Sequence, residues 1–203
     1  MNGVPPPPGT RPRPSTVREG MGWWRWTLRV GLFCLLVAMV HLVAQTGAGE
    51  PITDAEIKAT LLFKFVPFVR WPKTTLGDEE PFVFCILGED PFGEVIDHYQ
   101  GRIVKGRALE IRRVASLAEL EGCDMLFISA SEIEKLDTIF TRLERRPILT
   151  VSDQAGLGER GVMINFFEAD ETIRFEINPK ASRKAGLKIG SQLLRLAKVI
   201  DGT

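Results

Sequence analysis

Phe82-Val83-Phe84-Cys85-Ile86-Leu87 is apolar at six successive positions, and Gly88-Glu89-Asp90-Pro91 closes the run. A short stretch that is apolar on both alternating faces predicts a strand covered on both sides. Cys123-Asp124-Met125-Leu126-Phe127-Ile128-Ser129 is its companion, a second apolar run ending in small polar residues. Shorter runs predict strands over 109–114, 148–151, 162–167 and 172–177, the last two joined through Ala169-Asp170-Glu171 as a hairpin.

Between these runs the period changes to that of a helix. Thr53-Asp54-Ala55-Glu56 has the form of a capping box, and Ile57, Leu61, Phe65 and Phe68 recur behind it until Trp71-Pro72 ends the pattern. Asp90-Pro91 predicts the N-cap and first position of a helix through about Gln100. Ser116 predicts a cap for a short helix over 117–121. Ser131 and Glu134 form another capping box, before a stripe of Ile133, Leu136, Ile139, Phe140 and Leu143. Pro179 opens a helix that breaks near Gly186, and Ser191 to Ile200 predicts a closing amphipathic helix with Leu193, Leu194, Leu196, Ala197 and Ile200 on one face. Strands alternating with helices, then a hairpin, predict an α/β fold: a mostly parallel sheet with an antiparallel edge hairpin and helices on both faces, in three layers.

The first 48 residues follow neither pattern. Pro5 to Pro8 and Arg11-Pro12-Arg13-Pro14 cannot form a packed core, whereas Val30 to Ala44 is apolar except at Gly31 and His41. Arg25 and Arg29 ahead of that run, and Thr46-Gly47-Ala48 after it, predict a signal peptide cleaved after Ala48, with Ala44 as the second choice. Counted from Leu28, the run lengthens towards an uncleaved anchor, and Met21 is an alternative start. The expected organisation is therefore a tail and signal peptide over 1–48 and a single exported domain over 49–203.

Charge supports that division. The whole chain is formally neutral, but residues 1–48 hold five arginines against one glutamate. The remainder carries 21 basic and 25 acidic side chains, a net of −4, which argues against a nucleic-acid partner bound through phosphate neutralisation.

Export also gives meaning to the cysteines. Cys34 lies inside the apolar N-terminal run, and only Cys85 and Cys123 remain beyond it. An even pair outside the cytoplasm predicts a disulfide if the two strands are neighbours; two buried free thiols are the alternative.

Several blocks resemble the YfiR family. Phe65-Val66-Pro67-Phe68-Val69-Arg70-Trp71-Pro72 and Cys85-Ile86-Leu87-Gly88-Glu89-Asp90-Pro91-Phe92-Gly93 are similar to its opening blocks. Gly106-Arg107, Leu126-Phe127-Ile128-Ser129 and Ile148-Leu149-Thr150-Val151-Ser152-Asp153 resemble the middle ones. Gly161-Val162-Met163-Ile164-Asn165-Phe166 and Arg174-Phe175-Glu176-Ile177-Asn178 are similar to the closing ones. The resemblance spans nearly all of 52–200. It implies a periplasmic α/β protein, often a homodimer, that restrains an inner-membrane signalling protein, typically a diguanylate cyclase. It also implies the Cys85–Cys123 pair, for which redox control is a proposed role in the family. A second bridge present in some members has no counterpart, since residues 147–178 contain no cysteine.

Catalysis finds little support in the residues. Beyond the N-terminal segment the one histidine is His98, no Gly-x-Ser-x-Gly elbow occurs, and no His/Cys cluster offers a metal site. Glycines 156, 158 and 161 precede a predicted strand and not a helix, unlike a dinucleotide fingerprint. No enzyme activity, cofactor or metal is expected. Binding has more to work with. The carboxyl ends of the strands bring Glu89, Asp90, Ser129, Ser131, Ser152 and Asp153 towards one rim, where a ligand or partner would sit. Helix capping and turn formation are the plainer roles for the same residues. The basic C-terminal residues from Lys180 to Lys198 suit an acidic partner or lipid surface, or a solvated face. Trp71 and Leu196 are candidate partner contacts, with the core as the alternative place for Trp71. Two functions follow: a repressor of the periplasmic part of a membrane diguanylate cyclase or histidine kinase, or a solute-binding protein that feeds a sensor kinase.

Overall fold

The computed structural model describes residues 52–72 and 80–202, so the predicted signal peptide and its cleavage site lie outside the described residues. Helix α1 spans Asp54–Phe65. Its capping box is complete: the Thr53 hydroxyl accepts from the Glu56 N–H at 3.3 Å, and the Glu56 carboxylate accepts from the Thr53 N–H at 2.7 Å. The buried face is Ala59, Leu62 and Phe65, whereas Ile57, Leu61 and Phe68 are only half-buried. The expected stripe is thus rotated about the helix axis. Pro67 sits in a 3-10 turn, Val66–Phe68, which leads into strand β1, Val69–Arg70.

Strand β2, Phe82–Leu87, is buried at all six positions, as its unbroken apolar run requires. The other strands are β3 (Ile103–Val104), β4 (Arg107–Val114), β5 (Met125–Ile128), β6 (Leu149–Ser152), β7 (Ile164–Ala169), β8 (Thr172–Ile177), β9 (Lys188–Ile189) and β10 (Lys198–Val199). An eight-stranded sheet runs in the order β10-β8-β7-β6-β5-β2-β4-β3, and β1 pairs with β9 in a separate ribbon. Within the large sheet β7–β8 and β3–β4 are antiparallel and the other five neighbours are parallel.

Alternation along β2 divides the interior in two. Phe82, Phe84 and Ile86 join Leu62, Phe65, Phe127 and Phe166 in an aromatic-rich cluster. Val83, Cys85 and Leu87 join Leu126, Leu136, Ile139 and Val162 in a second, aliphatic one. The helices that cover these clusters are short. Besides α1 they are α2 (Glu94–Asp97), α3 (Leu136–Leu143), α4 (Pro179–Lys184) and α5 (Ser191–Leu194), with 3-10 turns at Leu117–Leu120 and Ala130–Lys135. The molecule is a mixed α/β protein with few helices, so the expected three-layer, mostly parallel arrangement is met only in part.

Three expectations fail for identifiable reasons. Asp90 does not cap a helix through Gln100. Its carboxylate closes a turn on the Phe92 N–H at 2.7 Å, and Gly93, at φ 55°, delays the helix until Glu94. Ser131 likewise leaves its capping role, because its hydroxyl accepts from the Glu89 N–H at 3.0 Å. The closing helix stops at Leu194. From there the chain turns back onto β8 as β10, with the Ile200 N–H donating to the Ile177 carbonyl at 2.9 Å. An unpaired sheet edge offers backbone partners that outweigh a modest helical preference. The hairpin β7–β8 consequently lies one strand in from the edge.

Candidate functional site

The residues expected at the rim lie at the carboxyl ends of β2, β5 and β6, and their polar atoms are engaged within the chain, in part with one another. Gly88 turns the chain at φ 89°, where a Cβ would collide with the Ser131 hydroxyl and Glu132. The Ser131 hydroxyl also donates to that of Ser129 at 3.4 Å, and buried Ser152 donates to the Ile128 carbonyl at 2.8 Å. Asp153 accepts from Lys58 Nζ at 2.7 Å and from Gln154 Nε2 at 2.8 Å, which ties the end of β6 to α1. Asp90 accepts from Arg113 Nε at 2.7 Å. Within this chain the rim residues work as a set of turn and strand-end ties, and Glu89 and Ser131 are the exposed ones.

The two candidate partner contacts separate. Trp71 is 8% exposed. Its Nε1 donates to the Asp124 carbonyl at 3.3 Å, and its ring meets Phe82 edge-on at 5.5 Å between centroids. It belongs to the core, the alternative place for it, and is not an exposed partner contact. Leu196 is 75% exposed, and Val199 beside it is also exposed. With Leu61, Phe167, Ile173 and Phe175, Leu196 borders an open hollow beside the hairpin. The expected helical face had set Leu196 alongside Leu193, yet only Leu193 is buried.

The disulfide is formed. Cys85 and Cys123 are bonded, with Cα atoms 6.0 Å apart and a sequence separation of 38. The register opposite Cys85 is Leu126 and not Cys123, so the bridge ties the middle of β2 to the segment leading into β5. That segment turns through Gly122 at φ 76°.

Beside this bridge, at the amino-terminal ends of β2 and β5, lies an arrangement the sequence reading missed. Arg107 and Asp124 are both buried and meet at 3.1 Å. Arg107 Nε donates to the Glu80 carbonyl at 2.6 Å, and Nη2 donates to the Pro81 carbonyl. Asp124 Oδ2 also accepts from the Val83 N–H at 2.9 Å. Burial pushes the Asp124 carboxyl above the ordinary aspartate range, and the Val83 N–H and Arg107 offset only part of that. Arg107 Nη1 is buried without a hydrogen-bond partner. These residues border a cavity of about 460 Å³ whose wall also includes Val83, Leu120, Cys123, Arg112, Arg146 and Ile148. The available sequence signal was Asp124 itself, a charge inside the apolar run 123–129.

A profile of the YfiR/HmsC-like family matches residues 55–198, which takes in the large sheet up to the first residue of β10. The chain belongs to the YfiR/HmsC-like family. Among solved structures, the ABC domain from Streptococcus pneumonia in complex with L-Trp is similar at 14% identity and a TM-score of 0.47. The match covers 72% of this chain and 62% of that one, and a likeness that weak says nothing about ligand or activity. Members of this family are regulators rather than enzymes. Among the described residues, no group of three His, Cys, Asp or Glu side chains is placed to hold a metal ion. None of the described helices is long and apolar enough to cross a membrane.

Proposed function

We propose that this YfiR/HmsC-like protein is a periplasmic repressor that binds the periplasmic portion of an inner-membrane diguanylate cyclase and so lowers cyclic-di-GMP. The observation that carries the reading is the family match over 55–198. The disulfide supports it, because such bonds persist in oxidising compartments and are rare in the cytosol. The exposed pair Leu196 and Val199, next to the hollow lined by Phe167, Ile173 and Phe175, supplies apolar area for a protein contact. The outward Glu89 at the rim is a second, polar candidate. A homodimer, as the resemblance implies, belongs to the same reading.

Deletion of the gene tests it. Cyclic-di-GMP and attached growth rise if the protein restrains a cyclase. Unchanged cyclic-di-GMP in the deletion strain rejects the cyclase partner in favour of a regulator tied to a sensor kinase.

A further inference from the structure

The cavity beside the disulfide has the composition of a ligand site. Its lining is apolar at Val83, Leu120 and Ile148, and three arginines, Arg107, Arg112 and Arg146, border it together with the acidic residues Glu80, Glu121 and Asp124. A volume of about 460 Å³ lies within the range of small-molecule pockets, roughly 300–1,000 Å³.

Two observations distinguish the site from a gap between strands. The first is Arg107, whose side chain is 6% exposed. Nε and Nη2 are spent on the Glu80 and Pro81 carbonyls and on Asp124, and Nη1 is left with no partner. Buried donors in folded proteins nearly always have a partner, and one that lacks a protein partner points to a bound water or ion. The second is the loose engagement of Arg146. Arg146 Nη1 meets the Glu121 carboxylate at 3.3 Å, whereas Arg112 is held firmly through Nε by the Glu110 carboxylate at 2.6 Å and has only its Nη1, 3.3 Å from the Glu121 carbonyl, towards the site. The Glu121 side chain is 80% exposed, so this pairing is weak and a competing carboxylate can displace it.

We propose that this cavity binds a small organic acid, with its carboxylate held by the arginine group and its apolar body against Val83, Leu120 and Ile148. Glu121 occupies the carboxylate's place at the mouth when no ligand is bound. Arginine suits the role because its planar fork matches a carboxylate in geometry and charge. Cys123 is part of the same wall, so an occupant would lie directly against the bridge that joins β2 to the start of β5. The proposal is independent of the repressor reading, since binding can be measured on the purified protein with no partner present.

The test is calorimetric titration of the purified protein with sodium benzoate, and separately with inorganic phosphate, at ionic strength matched with sodium chloride. Benzoate is expected to bind saturably. Arg146→Gln, at a partly exposed position, should weaken binding by about tenfold or more, the worth of one charged hydrogen bond. Glu121→Ala should tighten it by removing the competing carboxylate, an effect that damage to the fold would not produce. Arg107→Lys, which keeps the charge and loses the fork, should weaken binding as well; if it does not fold, the first two variants still decide. The absence of saturable benzoate binding would mean that ordered water alone meets Arg107 Nη1, and the proposal fails. Affinity unchanged in both Arg146→Gln and Glu121→Ala overturns it, as does saturable binding of phosphate without benzoate.

Discussion

Arg107 Nη2 and Asp124 Oδ2 lie 3.1 Å apart between the starts of β4 and β5, and neither side chain is more than 7% exposed. Such a pair is usually taken as stabilising, yet desolvation of both charges opposes their attraction. Here burial outweighs the partners of Asp124 and raises its pKa above the ordinary 3.8. A carboxyl whose folded pKa is raised contributes most to stability when protonated, and that contribution is lost as pH rises through the folded value. The melting temperature of the wild type relative to Asp124→Asn should therefore be highest at the acid end, below the ordinary value of 3.8, and fall as pH rises through the raised folded value. Parallel thermal melts from pH 3.5 to 8 check this. A wild type that gains on the variant over that range would show that pairing with Arg107 outweighs burial.

The Cys85–Cys123 bridge closes a loop with a sequence separation of 38, and the chain-entropy account values such a loop at about 3–4 kcal/mol. Cys123→Ser should lower the melting temperature and the steady-state level of the exported protein by a corresponding amount. Alkylation of denatured, unreduced protein should modify neither Cys85 nor Cys123. Reaction at both would refute the bridge.

Leu196 and Trp71 should respond in opposite ways to truncation. Leu196→Ala removes an exposed side chain, so stability should change by no more than about 0.5 kcal/mol while retention of the membrane partner in a pull-down falls. Trp71→Ala leaves a void against Phe82 and strips a donor from the Asp124 carbonyl, at a cost of about 3–5 kcal/mol. Denaturant unfolding of the two variants separates the surface from the core. Full partner retention by folded Leu196→Ala would remove that hollow from the interface.

The exported form should begin near Gly49, which intact-mass measurement of the periplasmic fraction checks. A mass that retains residues 21–48 would indicate an anchored protein.

Local pattern was sufficient wherever burial repeats along a single segment. The run 82–87 became a strand because it is apolar at every position and suits a sheet interior, the runs 123–129 and 162–167 hold strands over Met125–Ile128 and from Ile164, the alternating 172–177 pairs with the latter as a hairpin, and Thr53 with Glu56 capped α1 as its four-residue motif dictates. The two cysteines and the predicted export were enough to expect the bridge, although the strand register alone would have paired Cys85 with Leu126. Other features depended on partners distant in the chain. Residues 198–200 follow the edge of β8 because that edge had unmet backbone groups, a condition no helical pattern within 191–200 can reveal. Trp71 is buried because Phe82 and Asp124 come to meet it, and the rim serines serve strand ends 42 and 24 residues away. Arg107 and Asp124 are separated by 17 residues, and each looks ordinary in its own segment. Sequence periodicity records which positions leave water, whereas the assembled sheet alone determines which polar groups leave water together and whether each finds a partner.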